Sequence, residues 1–312
     1  MEKHASCKKT TIAGQALIEG ILMRGPRKTA VVCRRPGEEP VVKLEPTGTM
    51  SHGAWARIPV IRGVVSFWDS MRLGIRALTY SADFLGEDEP EEPGRFERWL
   101  NDKLGNEKME KADMGAALFL GIALPVVLFI LLPTLLAGLI GDSLPSLARN
   151  LIEGCFRIVI FLTFLYFTSR QKDVHRTYMY HGAEHKTIAC YESGRELTVE
   201  NARDCSRFHP RCGTSFLFMV MLVSILFFSL FSWSNPLVRV ITRLALLPVV
   251  AGISYEINRF AGRHDNGLTN ALRAPGLALQ RLTTAEPDDS MLEVAILAME
   301  QVIPENETED RW

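Results

Sequence analysis

Two long windows of this 312-residue chain contain no charged residue at all: Met114 to Gly141, 28 residues, and Cys212 to Val238, 27 residues. About 20 apolar residues in a helix cross a hydrocarbon core, so both windows are long enough and a purely water-soluble chain is not expected. An excess of either charge is missing too. With 35 Lys+Arg against 36 Asp+Glu and a formal net charge of -1, the composition offers no electrostatic footprint for a nucleic-acid partner. The six cysteines (7, 33, 155, 190, 205 and 212) include no C-x-x-C pair, and most fall on the side expected to be reducing, so disulfides do not organise the fold. The N-terminus lacks the short apolar core and small-residue cleavage site of a secretory signal, which leaves the residues before the first span in the cytosol. No internal repeat is present beyond paired apolar segments.

Two further apolar stretches, Leu151 to Ser169 and Leu237 to Tyr255, follow the charge-free windows and carry Glu153, Arg157, Arg239 and Arg243 near their starts. They read as second members of helical hairpins. The expected fold is an α-helical integral membrane protein, with about four transmembrane helices in two hairpins and a small cytosolic N-terminal β-rich α+β domain. Its boundaries run 11–85 for the β-rich domain with an amphipathic helix, 86–113 for an acidic linker and charged helix, and 114–169 for the first hairpin. They continue with 170–211 for a cytosolic helical segment, 212–257 for the second hairpin, and 258–312 for a cytosolic C-terminal helical segment. Fourteen Lys/Arg residues between Arg98 and Arg273 lie near the span ends expected in the cytosol, against Arg149, Arg157, Arg239 and Arg243 at the opposite ends. By the positive-inside rule both termini are cytosolic and the chain is a multi-pass protein of the cell membrane.

Within the N-terminal region, "AVVCRR" and "PVVKLE" are β-branched runs separated by "PGEE", a hairpin signal. From Arg62 the pattern turns helical through Val64, Val65, Phe67, Trp68, Met71, Leu73, Ile75 and Leu78. With Arg62, Arg72 and Arg76 this suits either an interfacial helix or a helix that caps the β unit. Pro125 and Pro133 are expected to kink the first span, where neighbouring helices must meet the freed carbonyls. Gly194 marks a helix stop, Thr198 a helix start, and Ser290 to Glu293 have capping-box spacing before the last helix. Glu19 is expected to pair with Arg24 or Arg62, His52 to sit in a turn, and Cys190 and Cys205 to be packing residues.

The chemistry concentrates in "HGAEHKTIACYE". His181 and His185, four apart, present imidazoles on one helical face to a single cation, with Glu184 beside them. The order H-x-x-E-H is that of the inverzincins, whose histidines bind zinc and whose glutamate is the general base for water. Gly182 weakens this helix by about 1 kcal/mol relative to Ala. Glu256, near the cytosolic end of the fourth span, and His209 and Cys212 in "HPRC" are the candidates to complete the shell. The alternative for Glu256 is an ion pair with Arg259 or Arg263 one turn away.

"GQALIEGILMRGP", "IRGVVSFWDSMRLG", "HGAEHKTIACYE", "HPRCGTSF", "LLPVVAGISYEINRFAGR" and "PGLALQRLTTAEPDDSMLEVAI" together resemble the YqhQ-like family of bacterial membrane proteins, sometimes labelled predicted metal-dependent enzymes. The resemblance implies a multi-span membrane protein whose metal would be sought at His181, Glu184, His185, His209, Cys212 and Glu256, and it supplies no substrate. The expected function is a membrane-embedded, metal-dependent enzyme, a hydrolase acting at the cytosolic face on a lipid-linked or membrane-proximal substrate. Its cofactor is a divalent metal, zinc or similar, and Glu184 activates water. The second expectation is a non-catalytic scaffold or transport accessory with structural histidines, binding protein partners through the N-terminal domain. A transporter pathway lined by Arg157, Arg239 and Arg243 is a third.

Overall fold

The computed structural model describes residues 9–48, 57–86, 119–121, 123–140, 145–231, 236–264 and 266–310. The chain divides into two units. One comprises 1–85, 165–224 and 246–312, the other 86–164 and 225–245. The acidic linker and charged helix expected over 86–113, and the His52 turn, lie almost wholly outside the described residues.

The first unit is built on a four-stranded antiparallel meander: β1 (Ala13–Leu17), β2 (Gly20–Arg24), β3 (Lys28–Cys33) and β4 (Val41–Pro46). The expected hairpin is β3–β4, in register from Lys28 opposite Pro46 to Cys33 opposite Val41. A second hairpin precedes it. β1 and β2 turn at Ile18 and Glu19, where Glu19 takes a positive φ of 49°, a conformation uncommon outside glycine.

Both faces of this sheet are covered, and alternation along each strand decides which residue faces which layer. Leu22, Val31 and Cys33 meet Ala77, with Leu73, Tyr80 and Phe84 of α1 (Ile61–Gly86) packed around them. Ile21, Met23, Ala30 and Val32 face the other way. There they meet Tyr180, Ala183 and Ile188 of α4 (Lys172–Glu192), and Met291, Leu292, Ala295 and Met299 of α9 (Asp289–Glu300). The segments expected as separate N-terminal, central and C-terminal cytosolic pieces therefore share one core. α4 stops as expected, with Gly194 in the left-handed region at φ 70°. Thr198 caps α5 (Val199–Arg203), accepting from Asn201 N. α9 is capped by Asp288, which accepts from Met291 N. This replaces the expected Ser290–Glu293 box, because Ser290 is already inside the helix.

Among the described residues three helices are long and apolar enough to cross a membrane: α2 (Phe119–Gly138), α3 (Leu147–Thr168 within Ser146–Thr168) and α7 (Leu237–Arg263 within Pro236–Arg263). The remaining expected span, 212–238, forms α6 (Gly213–Ser229), a shorter apolar helix of 17 residues. The helical ladder starts only at Gly213, after the "HPRC" turn. α8 (Gly267–Thr283) then begins at a full capping box on Asn266.

In the second unit the expected disturbance by proline takes a definite form. Val127–Leu131 adopt π-helical geometry just before Pro133. Pro133 cannot donate to the carbonyl of Phe129, and Arg157 Nε of α3 fills that position at 2.9 Å. Arg157, Arg239 and Arg243, expected to line a pathway or reach outward at the span ends, instead converge on Glu153, which is 1% exposed. Arg243 Nη2 donates to Glu153 Oε2 at 3.0 Å, and Arg157 and Arg239 lie 3.2 Å and 3.7 Å from its carboxylate.

Candidate metal centre

The packing of α4 against the sheet settles the geometry of its motif. Gly182 lies against the chain that follows α8. A Cβ there would collide with the Ala285 carbonyl, and Ala285 N donates to Tyr178 O at 2.8 Å. The glycine that weakens the helix is thus the one that lets residues 283–285 close on it.

That closure orients His181, whose Nδ1 sits 2.8 Å from Thr283 O. On the other side of the motif, His185 Nδ1 lies 2.6 Å from Arg207 O. A carbonyl can only accept, so both rings carry a proton on Nδ1 and turn Nε2 toward the site. His181 Nε2 is 3.2 Å from Cys212 Sγ, and His185 Nε2 is buried without a hydrogen-bond partner. The ring centroids are 4.4 Å apart. One donor atom each from His181, His185 and Cys212 falls within 4.8 Å of the others. Tetrahedral zinc with about 2.1 Å to nitrogen and 2.3 Å to sulfur places neighbouring donors about 3.5 Å apart, so the three could hold such an ion after small side-chain rotations. A histidine ligand held through its other ring nitrogen by a backbone carbonyl is the usual arrangement around metals. Thr214 N points at Cys212 Sγ from 3.4 Å and would stabilise a thiolate.

Burial by itself would raise the Cys212 thiol, but His185 and His181 outweigh it and hold the thiol well below the usual range. Burial likewise disfavours the charged form of His181, yet its hydrogen bond to Cys212 and the nearby Glu184 bring it to about 9. Glu184 is 5% exposed, and its Oε2 has no hydrogen-bond partner. Burial raises its carboxyl above the ordinary range despite the two histidines. A buried carboxyl whose protonated form is favoured in this way is suited to taking up and returning a proton. Its fit against β1 depends on Gly14, where a Cβ would come 2.6 Å from Glu184 Cγ. These groups border a cavity of about 580 Å³ whose walls also include Phe67, Tyr178, Phe216 and Tyr255. That volume is in the range of small-molecule sites.

The other two expected ligands stand apart from the trio. His209 is near, its ring 5.7 Å from that of His185, but its Nε2 faces Glu192 Oε2 at 3.4 Å. Burial pushes it below the usual histidine range. Glu256 is engaged elsewhere, and neither Arg259 nor Arg263 is its main partner. Arg62 grips both of its oxygens, with Nε to Oε1 at 2.7 Å, and Val60 N reaches Oε1 at 3.3 Å. Val60 has a φ of 70°, rare for a β-branched residue, and the Glu256–Arg62 pair braces that turn. Because Arg62 is taken, Glu19 pairs with Arg176 of α4 instead, Nη2 to Oε2 at 2.6 Å, while Arg24 holds Asp69 at 2.6 Å.

Sequence reasoning missed the carbonyls of Thr283 and Arg207 and the role of Gly14, since backbone acceptors and close approaches leave no mark in residue type. It also missed Glu192, a buried carboxylate that accepts from Thr10 N at 2.7 Å and pairs with Arg211 and His209.

Comparison with known proteins places this architecture in a family. The model described as "Protein of unknown function (DUF1385)" matches residues 58–305. The chain is 33% identical over 301 residues to "Uncharacterized protein YqhQ" of Bacillus subtilis (strain 168), covering 93% of this chain and 91% of that relative. No solved structure matches. The chain belongs to the DUF1385, YqhQ-like family.

Proposed function

We propose that this member of the family is a multi-pass membrane protein that binds a divalent cation, zinc or similar, through His181, His185 and Cys212. We infer that it uses the site as a hydrolase on a lipid-linked or membrane-proximal substrate. The observation that carries the reading is the pair of imidazoles locked through Nδ1 onto backbone carbonyls, with both Nε2 atoms and the Cys212 sulfur converging in a buried pocket. A cation bound there would act as a Lewis acid on water and on a substrate carbonyl or phosphoryl oxygen. Three protein donors leave a fourth tetrahedral position for a non-protein ligand, as catalytic zinc sites do. Glu184 accepts the proton of water and returns it to the leaving group, a task its buried, half-satisfied carboxyl suits. The apolar walls around Phe67 and Phe216 hold the substrate and exclude bulk water.

The packing also supports a particular membrane topology. β2, β3, α4 and α9 share one core, which supports a topology with the segments 13–46, 172–192 and 289–300 on one side of the bilayer, the cytosolic side by charge distribution. An even number of crossings then separates each pair. α2 and α3 supply the first two, and α6 must accompany α7 for the second pair, its 17 residues spanning about 25 Å against a core of about 30 Å.

Metal analysis of the purified full-length protein tests the site. About one equivalent of zinc or a similar ion is expected in wild type, with loss in His181→Ala/His185→Ala and in Cys212→Ser. Retention should fall as acidification protonates the ligands. Equal traces in all three proteins would defeat the proposal. A second reading, a scaffold with structural histidines, is favoured by the way the two rings already tie α4 to residues 207 and 283. Glu184→Gln separates the two. Loss of complementation of a deletion strain, with metal retained, supports catalysis, whereas full complementation supports the scaffold.

A further inference from the structure

Along α1, Ile61, Val64, Trp68, Met71, Ile75 and Leu78 recur at alternating steps of three and four, which places them on one face of the helix. Val64 is half-buried and the other five are exposed, Trp68 at 59% and Ile75 at 60%. The opposite face, with Leu73, Ala77, Tyr80 and Phe84, already covers the sheet. α1 therefore carries two apolar faces, only one of which is packed among the described residues. Single exposed apolar side chains are ordinary, but a continuous stripe about 25 Å long is not.

The start of α1 is fastened to α7. A Cβ on Gly63 would lie 2.7 Å from Tyr255 Cβ and 3.0 Å from Gly252 Cα, and the Phe67 ring is 5.8 Å from that of Phe216 in α6. Gly252 and Tyr255 belong to the C-terminal part of a helix apolar enough to cross a membrane, so α1 leaves its neighbours near the end of a candidate span. Arg72, exposed, edges the stripe. The nearby Asp69 is neutralised by Arg24, and Asp83 lies beyond the stripe's last residue.

We propose that this stripe of α1 docks on the bilayer surface. α1 is then an in-plane interfacial helix, with Trp68, Met71 and Ile75 sunk at the headgroup–acyl boundary and Arg72 among anionic headgroups. Lipid fits better than a second copy or another protein because the stripe continues from helices that are themselves span-like and has a basic edge. The same helix lends Ser66, Phe67 and Ser70 to the cavity wall, so docking holds that wall at the lipid–water boundary.

The test reconstitutes the full-length protein in vesicles of phosphatidylcholine and phosphatidylglycerol, with plain or 6,7-brominated phosphatidylcholine. The emission difference between wild type and Trp68→Phe isolates Trp68. Bromolipid is expected to quench that share about twofold or more, and aqueous iodide to leave it unchanged, as for a buried interfacial tryptophan. Iodide quenching without bromolipid quenching would put the stripe in water, and quenching by neither would put a protein against it. Either result overturns the proposal. Ile75→Trp in the Trp68→Phe background repeats the reading two turns along, so that a local fault at residue 68 cannot decide the outcome.

Discussion

At the scale of single residues, the site depends on buried polar groups and on the particular partners that hold them. Glu192 is 8% exposed and joins Thr10 N, His209 and Arg211. Burial alone would raise its carboxyl, but these partners hold it below the ordinary range. A carboxyl depressed in the folded state contributes stability above its unfolded value of about 4.3, and that contribution disappears as pH falls through the lower folded value. Glu192→Gln should therefore destabilise the protein by about 3 kcal/mol at pH 7, and the gap from wild type should close on acidification. Thermal unfolding of both proteins across pH 3 to 7 checks this, and a constant gap would contradict it. His181 and His185 were legible as a pair because helical spacing alone puts them on one face. The third donor was not. Glu256, His209 and Cys212 were all plausible by residue type, and only the positions of Arg62 and Glu192 show which two are engaged elsewhere.

At the scale of elements, close approach explains residues that propensity would disfavour. Gly182→Ala raises helix propensity by about 1 kcal/mol yet drives a Cβ into the Ala285 carbonyl, an overpacking that costs about 1–3 kcal/mol. The net expectation is lower stability and weaker metal retention, since Thr283 O, the anchor of His181, lies two residues from the clash. Unfolding together with metal content reads both, and an Ala variant more stable than wild type would show that the loop gives way freely. Within the second unit, Glu153 ties α3 to α7 through Arg243. Glu153→Gln removes the counter-charge of buried arginines and should cost about 3–5 kcal/mol, seen as a lower midpoint in detergent. The kink region was legible from Pro133, while its rescue by Arg157 needed the packing of α3.

At the scale of the whole chain, three distant segments build one core, and the topology proposed from it is open to direct test. Reporter fusions at Arg195 and at Glu305 should both report the cytosol, and one at Pro145 the opposite side. Opposite results at 195 and 305 would mean that α6 does not cross. Residue order by itself determined that the chain has apolar stretches of spanning length, a β3–β4 hairpin, helix boundaries at Gly194 and Thr198, and a histidine pair on one face. Those features depend on local periodicity and on the chemistry of neighbours in sequence. Tertiary structure alone decided that α4 and α9 share the sheet's core, that Cys212 joins the histidines while Glu256 braces Val60, and that Glu19 pairs with Arg176. These contacts join residues at least 27 positions apart, and which partner each buried polar group finds depends on which competitor has already been taken.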